Sequence, residues 1–536
     1  MATRIRDAAA IVLLLLVMGL ARPGEQRQAQ AIQPTATKFA TPGLIHSALT
    51  RGEISQDLAY LYLAYALGDY QSLPVRFRSD LPWDGTLPLR DLTEGVRTMR
   101  SSALRSSIES LLSGSCGSST ANLPSTITSP HFLVEYGTVS GGLVIQDYIN
   151  SLETAWGTEV DQFGWAAPPL VTSDRKHYHV RIDDLGGGLY GYVSTSGTYA
   201  GFFGDNPNTS WNEGDAYATC MVLNQDYSGF PSSPDKSLDA TTAHEFNHSI
   251  QFGYGALGSD YPVDDVFAEG GATWMEDEVF DNANDNYNYL WPTFSSCMGA
   301  YPGSPYPYWI TFRGMTERFG SGVSGGGEQI MQDFWELTSK RQSSNLAALN
   351  TALNNKSASL ANAYHAYAIA VKFNKPCGGG YVYPYCLEES NAYLASAGPT
   401  PLASSISAVG GSYTGGIQDN YALNWIGLPT TGGSFDVTLE NTSSGGQLHA
   451  SVVCDTGATL VVNGFSSLIG PGDSSTLTGI NPSGCNSLVA VLTNQSQTAD
   501  NPSFCSSSSY ELSTSAATPI PKPPPDSSFY LPLIGK

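Results

Sequence analysis

The period of the apolar positions changes along the chain. Residues 54–67 carry Ile54, Leu58, Leu61, Tyr62 and Tyr65 at helical spacing, and 96–112 repeat that spacing, so two helices are predicted early in the chain. Residues 131–136 and 177–182 alternate as strands, with an amphipathic helix predicted over 143–156 and a further strand over 216–223. From Leu238 the period turns helical and recurs at 264–280, 309–319, 328–338 and 360–373. Strands followed by helices imply an α+β unit. From about Ser404 short alternating runs, at 435–439, 449–453, 459–462 and 488–492, break a texture rich in Ser, Thr, Gly and Asn, and a β-sandwich is predicted.

These changes divide the 536 residues. Arg4 and Arg6 precede an apolar run over 8–20, which is too short to span a bilayer and has the form of an export signal, cleaved after Ala21 or Ala31. The division adopted is 1–31 signal peptide, 32–125 helical N-terminal module, 126–402 catalytic-type α+β domain, 403–515 β-sandwich and 516–536 Pro-rich tail. The module ends in a Ser/Gly-rich linker starting at Ser113, and is either a propeptide or a structural cap. The tail offers a polyproline stalk at 519–525 with an apolar end, a candidate for cell-surface attachment, as is the C-terminal module.

Composition narrows the function. Only 14% of residues are charged, which argues against a largely disordered chain. A net charge of -23 disfavours nucleic acid and anionic lipid as partners. No other segment offers 18 uninterrupted apolar residues, so no membrane span is expected. The eight cysteines, in a chain that looks exported, imply disulfides and an extracellular location. Cys377 and Cys386 can close a short loop, whereas Cys454, Cys485 and Cys505 cannot all pair within the last domain.

The chemistry concentrates at His244-Glu245-Phe246-Asn247-His248, an HExxH motif. Two histidines four apart share one helix face and can chelate one Zn2+, while Glu245 is placed to take a proton from a metal-activated water. Independent placement of 8 His and 19 Glu gives roughly 0.004 such matches in this chain. A third ligand is needed, and Glu269 is the better candidate; Asp264 and Asp265 are rivals whose plainer role is to cap the helix. Glu276 and Asp277 fall near the face of Glu269 and are placed to orient a histidine. Tyr254, Tyr287, Tyr289 and Tyr308 are all candidates to stabilise an oxyanion, with nothing to choose among them. His177 and His179 form an alternating strand pair, and the oxygen-rich 281–286 is a candidate Ca2+ loop without the EF-hand order.

The HExxH run followed by Glu269-Gly270-Gly271-Ala272 resembles the gluzincin-type zinc metalloproteases, and the wording of 243–254 and 269–279 is similar to a family of secreted bacterial HExxH metalloproteases. The resemblance covers about 130–375. It implies His244, His248 and Glu269 as zinc ligands, Glu245 as general base, and a zincin fold whose antiparallel edge strand, from 188–193 or 216–223, lines the cleft. Thr273 stands where such proteins often carry Asp. The expected function is a secreted endopeptidase acting on protein or peptide substrates. The alternative is an extracellular adhesion or carbohydrate-binding protein with an idle zincin domain. The presence of Glu245 beside both histidines weighs against it, since an idle site has no chemical need for the base.

Overall fold

The computed structural model describes residues 39–112, 123–171, 176–257, 263–291, 294, 296–298, 305–497 and 505–517. The expected leader, the linker after Leu112 and the Pro-rich stalk with its apolar end lie outside them.

The first helices are α1 (Thr41–Thr50), α2 (Gln56–Gly68), α3 (Thr86–Thr98) and α4 (Ser102–Leu112). The Ser55 hydroxyl accepts from the Leu58 amide and starts α2. The single helix expected over 96–112 is instead two. Met99 is extended and buried, and Ser101 accepts from the Leu104 amide to begin α4. Helix α3 escapes the periodic reading because it contains Pro88, which sits in the first turn, where a missing N–H costs nothing. Ile45, Ala64, Leu92, Val96 and Ile108 form a core for these four helices.

The central sheet is built from β1 (Ser125–Thr128), β2 (Phe132–Tyr136), β3 (Tyr178–Asp183), β4 (Gly191–Ser194) and, after a separate pair β5 (Gly201–Gly204) and β6 (Ala216–Ala218), β7 (Cys220–Asn224). Its order is β1-β2-β3-β7-β4. The β2–β3 and β3–β7 pairs are parallel; β4 lies antiparallel on β7 and forms the edge. The run expected as one strand over 216–223 therefore breaks at Thr219: its first part pairs with β5, and its second is interior to the central sheet. The edge strand is supplied by the Gly188–Val193 region rather than by 216–223.

One face of the sheet, with Val134, Val180, Ile182, Met221 and Leu223, packs on α5 (Ile145–Trp156) and on Phe246 and Ile250 of α6 (Pro234–Gly253). Leu189 and the β4 and β7 side chains Tyr192 and Val222 join the core of the N-terminal helices instead. A Cβ at Gly191 would meet the Val222 carbonyl at 2.9 Å and Thr241 of α6 at 3.1 Å, so glycine lets the edge strand lie close over the helix. Helix α6 begins with Pro234 in its first turn, is buried from Ala240 to Gly253, and packs on α7 (Asp265–Val279). Helices α8 (Trp309–Thr316), α9 (Glu328–Ser339), α10 (Asn345–Asn355), α11 (Leu360–Phe373) and α12 (Ser390–Ala397) complete the region around buried Trp274, Trp309 and Trp335.

The last part is all strand: β8 (Ser404–Ser405), β9 (Ser412–Gln418), β10 (Ala422–Gly427), β11 (Phe435–Asn441), β12 (Leu448–Asp455), β13 (Leu460–Gly464), β14 (Ser474–Ile480), β15 (Ser487–Asn494) and β16 (Ser507–Ala516). They form two sheets, β13-β12-β15-β10-β8 and β14-β11-β16-β9, whose apolar residues share one cluster including Ile426, Val452, Val437 and Leu512. Helix α11 packs on β12 and β15, where the Trp425 indole donates to the Ala368 carbonyl. Cys377–Cys386 and Cys454–Cys485 are bridged locally, and Cys505 reaches back to Cys297, while Cys220 is bridged as well. No described helix is long and apolar enough to cross a membrane.

Candidate metal centre

His244 and His248 project from one face of α6, one turn apart, toward Glu269 on α7. His244 Nε2 lies 3.0 Å from Glu269 Oε2 and 3.1 Å from His248 Nε2, and His248 Nε2 lies 3.4 Å from the same carboxylate oxygen. All three residues are buried, and among the described residues they form the one group of His, Cys, Asp and Glu with convergent ligand atoms.

The far side of each imidazole is held. His244 Nδ1 lies 2.8 Å from Glu276 Oε1, and His248 Nδ1 lies 2.9 Å from Gln251 Oε1. Gln251 spends its amide nitrogen on Asn247 Oδ1 and the Ala268 carbonyl, so its oxygen is left to accept from His248. Both rings therefore donate through Nδ1 and turn Nε2 inward, the tautomer that outer partners impose on metal-ligating histidine. Three inward-facing acceptors, 3.0–3.4 Å apart, ask for a cation. Burial opposes charge on His244, yet Asp84, Glu269 and Glu276 around it outweigh burial and raise its pKa. Burial would likewise raise Glu269, but the His248 and His244 rings hold it down at about 2. Two imidazoles and one carboxylate with convergent ligand atoms could hold a metal ion.

The Glu245 carboxyl is turned toward Thr86 and Asp84. Its Oε2 accepts from the Thr86 hydroxyl at 2.6 Å, and its carboxyl meets that of Asp84. Burial and the neighbouring Asp84 carboxylate push its pKa well up. Asp84 stands 3.7 Å from His244 Nε2. A small cavity of about 20 Å³ is lined by Asp84, His244, Glu276, Tyr289 and Tyr306.

The structure thus brings together His244, Glu245, His248 and Glu269, and gives Glu276 the orienting position expected of it. Asp277 does not share that role: it accepts from Asn286 and pairs with Arg313. Asp264 occupies the cap position of α7 without a capping side-chain bond, and Asp265 pairs with Arg90, so neither approaches the ligand group. Of the tyrosines, Tyr308 donates to the Cys297 carbonyl, Tyr287 to Glu389, and Tyr254 accepts from the Ala166 amide. Tyr289 does line the site, with Tyr306, whose ring is 6.0 Å from that of His244. In the candidate calcium loop Asp285 accepts from Tyr190 while Asp281 is exposed, so the two carboxylates do not converge. Of the alternating pair, His179 is buried, 3.3 Å from Glu135 and against the Tyr199 ring.

Sequence reasoning missed Asp84, Thr86 and Tyr306. Nothing local marks them, since they arrive from other elements. Gln251 was findable, lying three residues past His248 on the same helix face.

No family model matches the chain, and no curated protein matches it. A solved structure of infectious bursal disease virus, Gx strain, is similar over 20% of this chain and 26% of its own, at 13% identity and a TM-score of 0.11, too low to carry any argument about fold or function.

Proposed function

We propose that this chain is an extracellular zinc-dependent endopeptidase with a zincin-like domain followed by a β-sandwich. The observation that carries the reading is the convergence of His244 Nε2, His248 Nε2 and Glu269 Oε2, each histidine oriented from behind, with the Glu245 carboxylate alongside. When held by those three ligands, zinc supplies Lewis acidity that activates water and polarises the scissile carbonyl. Glu245 takes the proton of the attacking water and delivers it to the leaving amine. Burial and the neighbouring Asp84 carboxyl raise its pKa. Glu276 and Gln251 keep the imidazoles in register, and Tyr306 or Tyr289 supplies a donor toward the developing oxyanion. An extended peptide would add to the antiparallel edge strand β4 in place of Gly85 and Thr86, which bond Gly191 and Val193 here.

The test is metal content with activity. About one zinc per chain is expected in the wild type, greatly weakened binding in Glu269→Ala, and full zinc with lost peptide cleavage in Glu245→Gln. Cleavage that survives Glu245→Gln refutes the mechanism. A wild type that takes no zinc after reconstitution refutes the class.

A further inference from the structure

Helix α5 does not stop at Trp156 but runs on through one wider π turn, Gly157–Gln162. Such turns are uncommon and recur at functional sites. This one carries Glu159, which is fully buried. A buried carboxyl is costly without partners, and the Glu159 side chain has one: Oε2 accepts from Asn247 Nδ2 at 3.0 Å, while Oε1 has no hydrogen bond. Burial pushes the pKa of Glu159 well up, with the Asn247 bond and the His244 ring pulling the other way. Ionised or neutral, a carboxyl oxygen that faces an amide NH2 accepts from it.

Asn247 lies on α6 between the two histidines of the metal centre. An amide side chain donates at one end and accepts at the other. With Nδ2 committed to Glu159, Asn247 turns Oδ1 toward Gln251, which donates to it from Nε2 at 2.8 Å. Gln251 then has its Oε1 left for His248 Nδ1, 2.9 Å away. The Ala268 carbonyl takes the second Gln251 proton at 3.2 Å and supports the same sense. Were Asn247 reversed, its NH2 would face that of Gln251 and its oxygen would face the Glu159 carboxyl, two repulsive contacts in a place closed to water. The imidazole of His248 therefore carries its proton on Nδ1 and turns an Nε2 lone pair inward. His244 reaches the same end in one step, since Glu276 meets its Nδ1 directly at 2.8 Å. Each imidazole is thus backed by a buried carboxyl, one directly and one through two amides.

We propose that Glu159 is a positioning residue of the metal centre: through Asn247 and Gln251 it fixes the ring proton of His248 on Nδ1 and keeps Nε2 open for the metal. This rests on His248 being a metal ligand, as in the proposed function, and it gives a task to a glutamate far outside the HExxH run.

The experiment uses the full chain, as wild type, Glu159→Gln, Glu159→Leu, Asn247→Leu and the double variant Glu159→Leu/Asn247→Leu, with circular dichroism to confirm folding. Zinc affinity is measured by competition with a chromogenic chelator. Ring protons are located by long-range 1H–15N correlation on metal-free, histidine-labelled protein in alkaline buffer, with His248→Gln to assign the signal. The wild-type ring is expected to carry its proton on Nδ1, and Glu159→Leu to give a mixture of both tautomers. Glu159→Leu should weaken zinc about fivefold, just below the range for partners that touch the ring. Glu159→Gln keeps an acceptor toward Asn247 and should stay within about twofold of wild type; in the Asn247→Leu background Glu159→Leu should also cost less than about twofold, because the path is already cut. Wild-type zinc affinity in Glu159→Leu overturns the proposal. So does a fivefold cost that persists without Asn247, or one shared by Glu159→Gln, since Glu159 would then act by its charge and not through the relay. A wild-type ring protonated on Nε2 overturns it with no variant at all, which keeps the test decisive if the leucine variant fails to fold. These failures leave the metal centre standing, whereas a wild type that takes up no zinc refutes the metallopeptidase reading and this inference with it.

Discussion

Glu276 gives the most exacting check on the metal centre. Its carboxylate oxygen lies 2.8 Å from His244 Nδ1, and the pair is buried. Glu276→Gln keeps an acceptor of the same shape but removes the charge, whereas Glu276→Ala removes both. A neutral hydrogen bond contributes about 1 kcal/mol, and a charge-assisted one about twice that. The amide variant is therefore expected to weaken zinc about tenfold and the alanine variant nearer a hundredfold, the range seen when outer partners of ligand histidines are lost. Burial pushes Glu276 up to about 8 against the pull of His244, so without metal the carboxyl is costly to ionise. Glu276→Gln should leave the metal-free protein as stable as wild type, so weaker metal binding cannot be put down to unfolding. Competition against a chromogenic chelator gives the affinities, and thermal melts of the stripped protein give the control. Wild-type zinc affinity in Glu276→Ala would refute the placement of His244 Nε2 as a ligand.

Two further outcomes concern stability. His365 sits between α11 and the last strands, with Nδ1 3.0 Å from Thr493 Oγ1, Nε2 2.9 Å from Ser451 Oγ, and its ring stacked 3.9 Å from that of His449. Burial lowers the pKa of His365, with His449 adding to it, and burial lowers His449 as well, so the folded state takes up fewer protons than the unfolded chain. Stability is then complete above the ordinary histidine value near ~6.5 and falls below it by up to about 1.4 kcal/mol per pH unit for each ring; urea titrations at pH 7.5 and 5.5 check this, and His365→Asn should flatten the dependence. Arg313 lies buried among Asp277, Glu278 and Glu317 at 3.1, 2.8 and 3.3 Å. Arg313→Ala leaves three buried carboxylates without their cation and is expected to cost about 3–5 kcal/mol in chemical denaturation; a loss under 1 kcal/mol would show that water reaches the cluster.

Much of the histidine-bearing helix α6 was legible in advance, because HExxH is a local pattern whose geometry follows from 3.6 residues per turn. Glu269 was within reach through spacing, since the twenty residues between it and His248 allow a loop and a return onto a second helix. The tyrosines were not distinguishable, since a hydroxyl near the site and one bonded to a distant carbonyl, as in Tyr308, look alike along the chain. The strand at 216–223 was seen but not its division, because the break at Thr219 is set by which partner strand each half finds.

By itself the sequence determined the α+β class, the pair of histidines with their glutamate, and that the three cysteines of the last domain could not all pair at home. Each of these depends on neighbours within a turn, a strand or a count. Only the tertiary structure decided that Glu276 and Gln251 orient the rings, that Cys505 pairs with Cys297, and that Asp84 and Thr86 come down on the metal centre from 160 residues away. Contacts of that span are chosen by packing: the N-terminal helices bury Leu189, Tyr192 and Val222 of the sheet, and the loop carrying Asp84 is placed by that burial together with Trp83, which joins the same core.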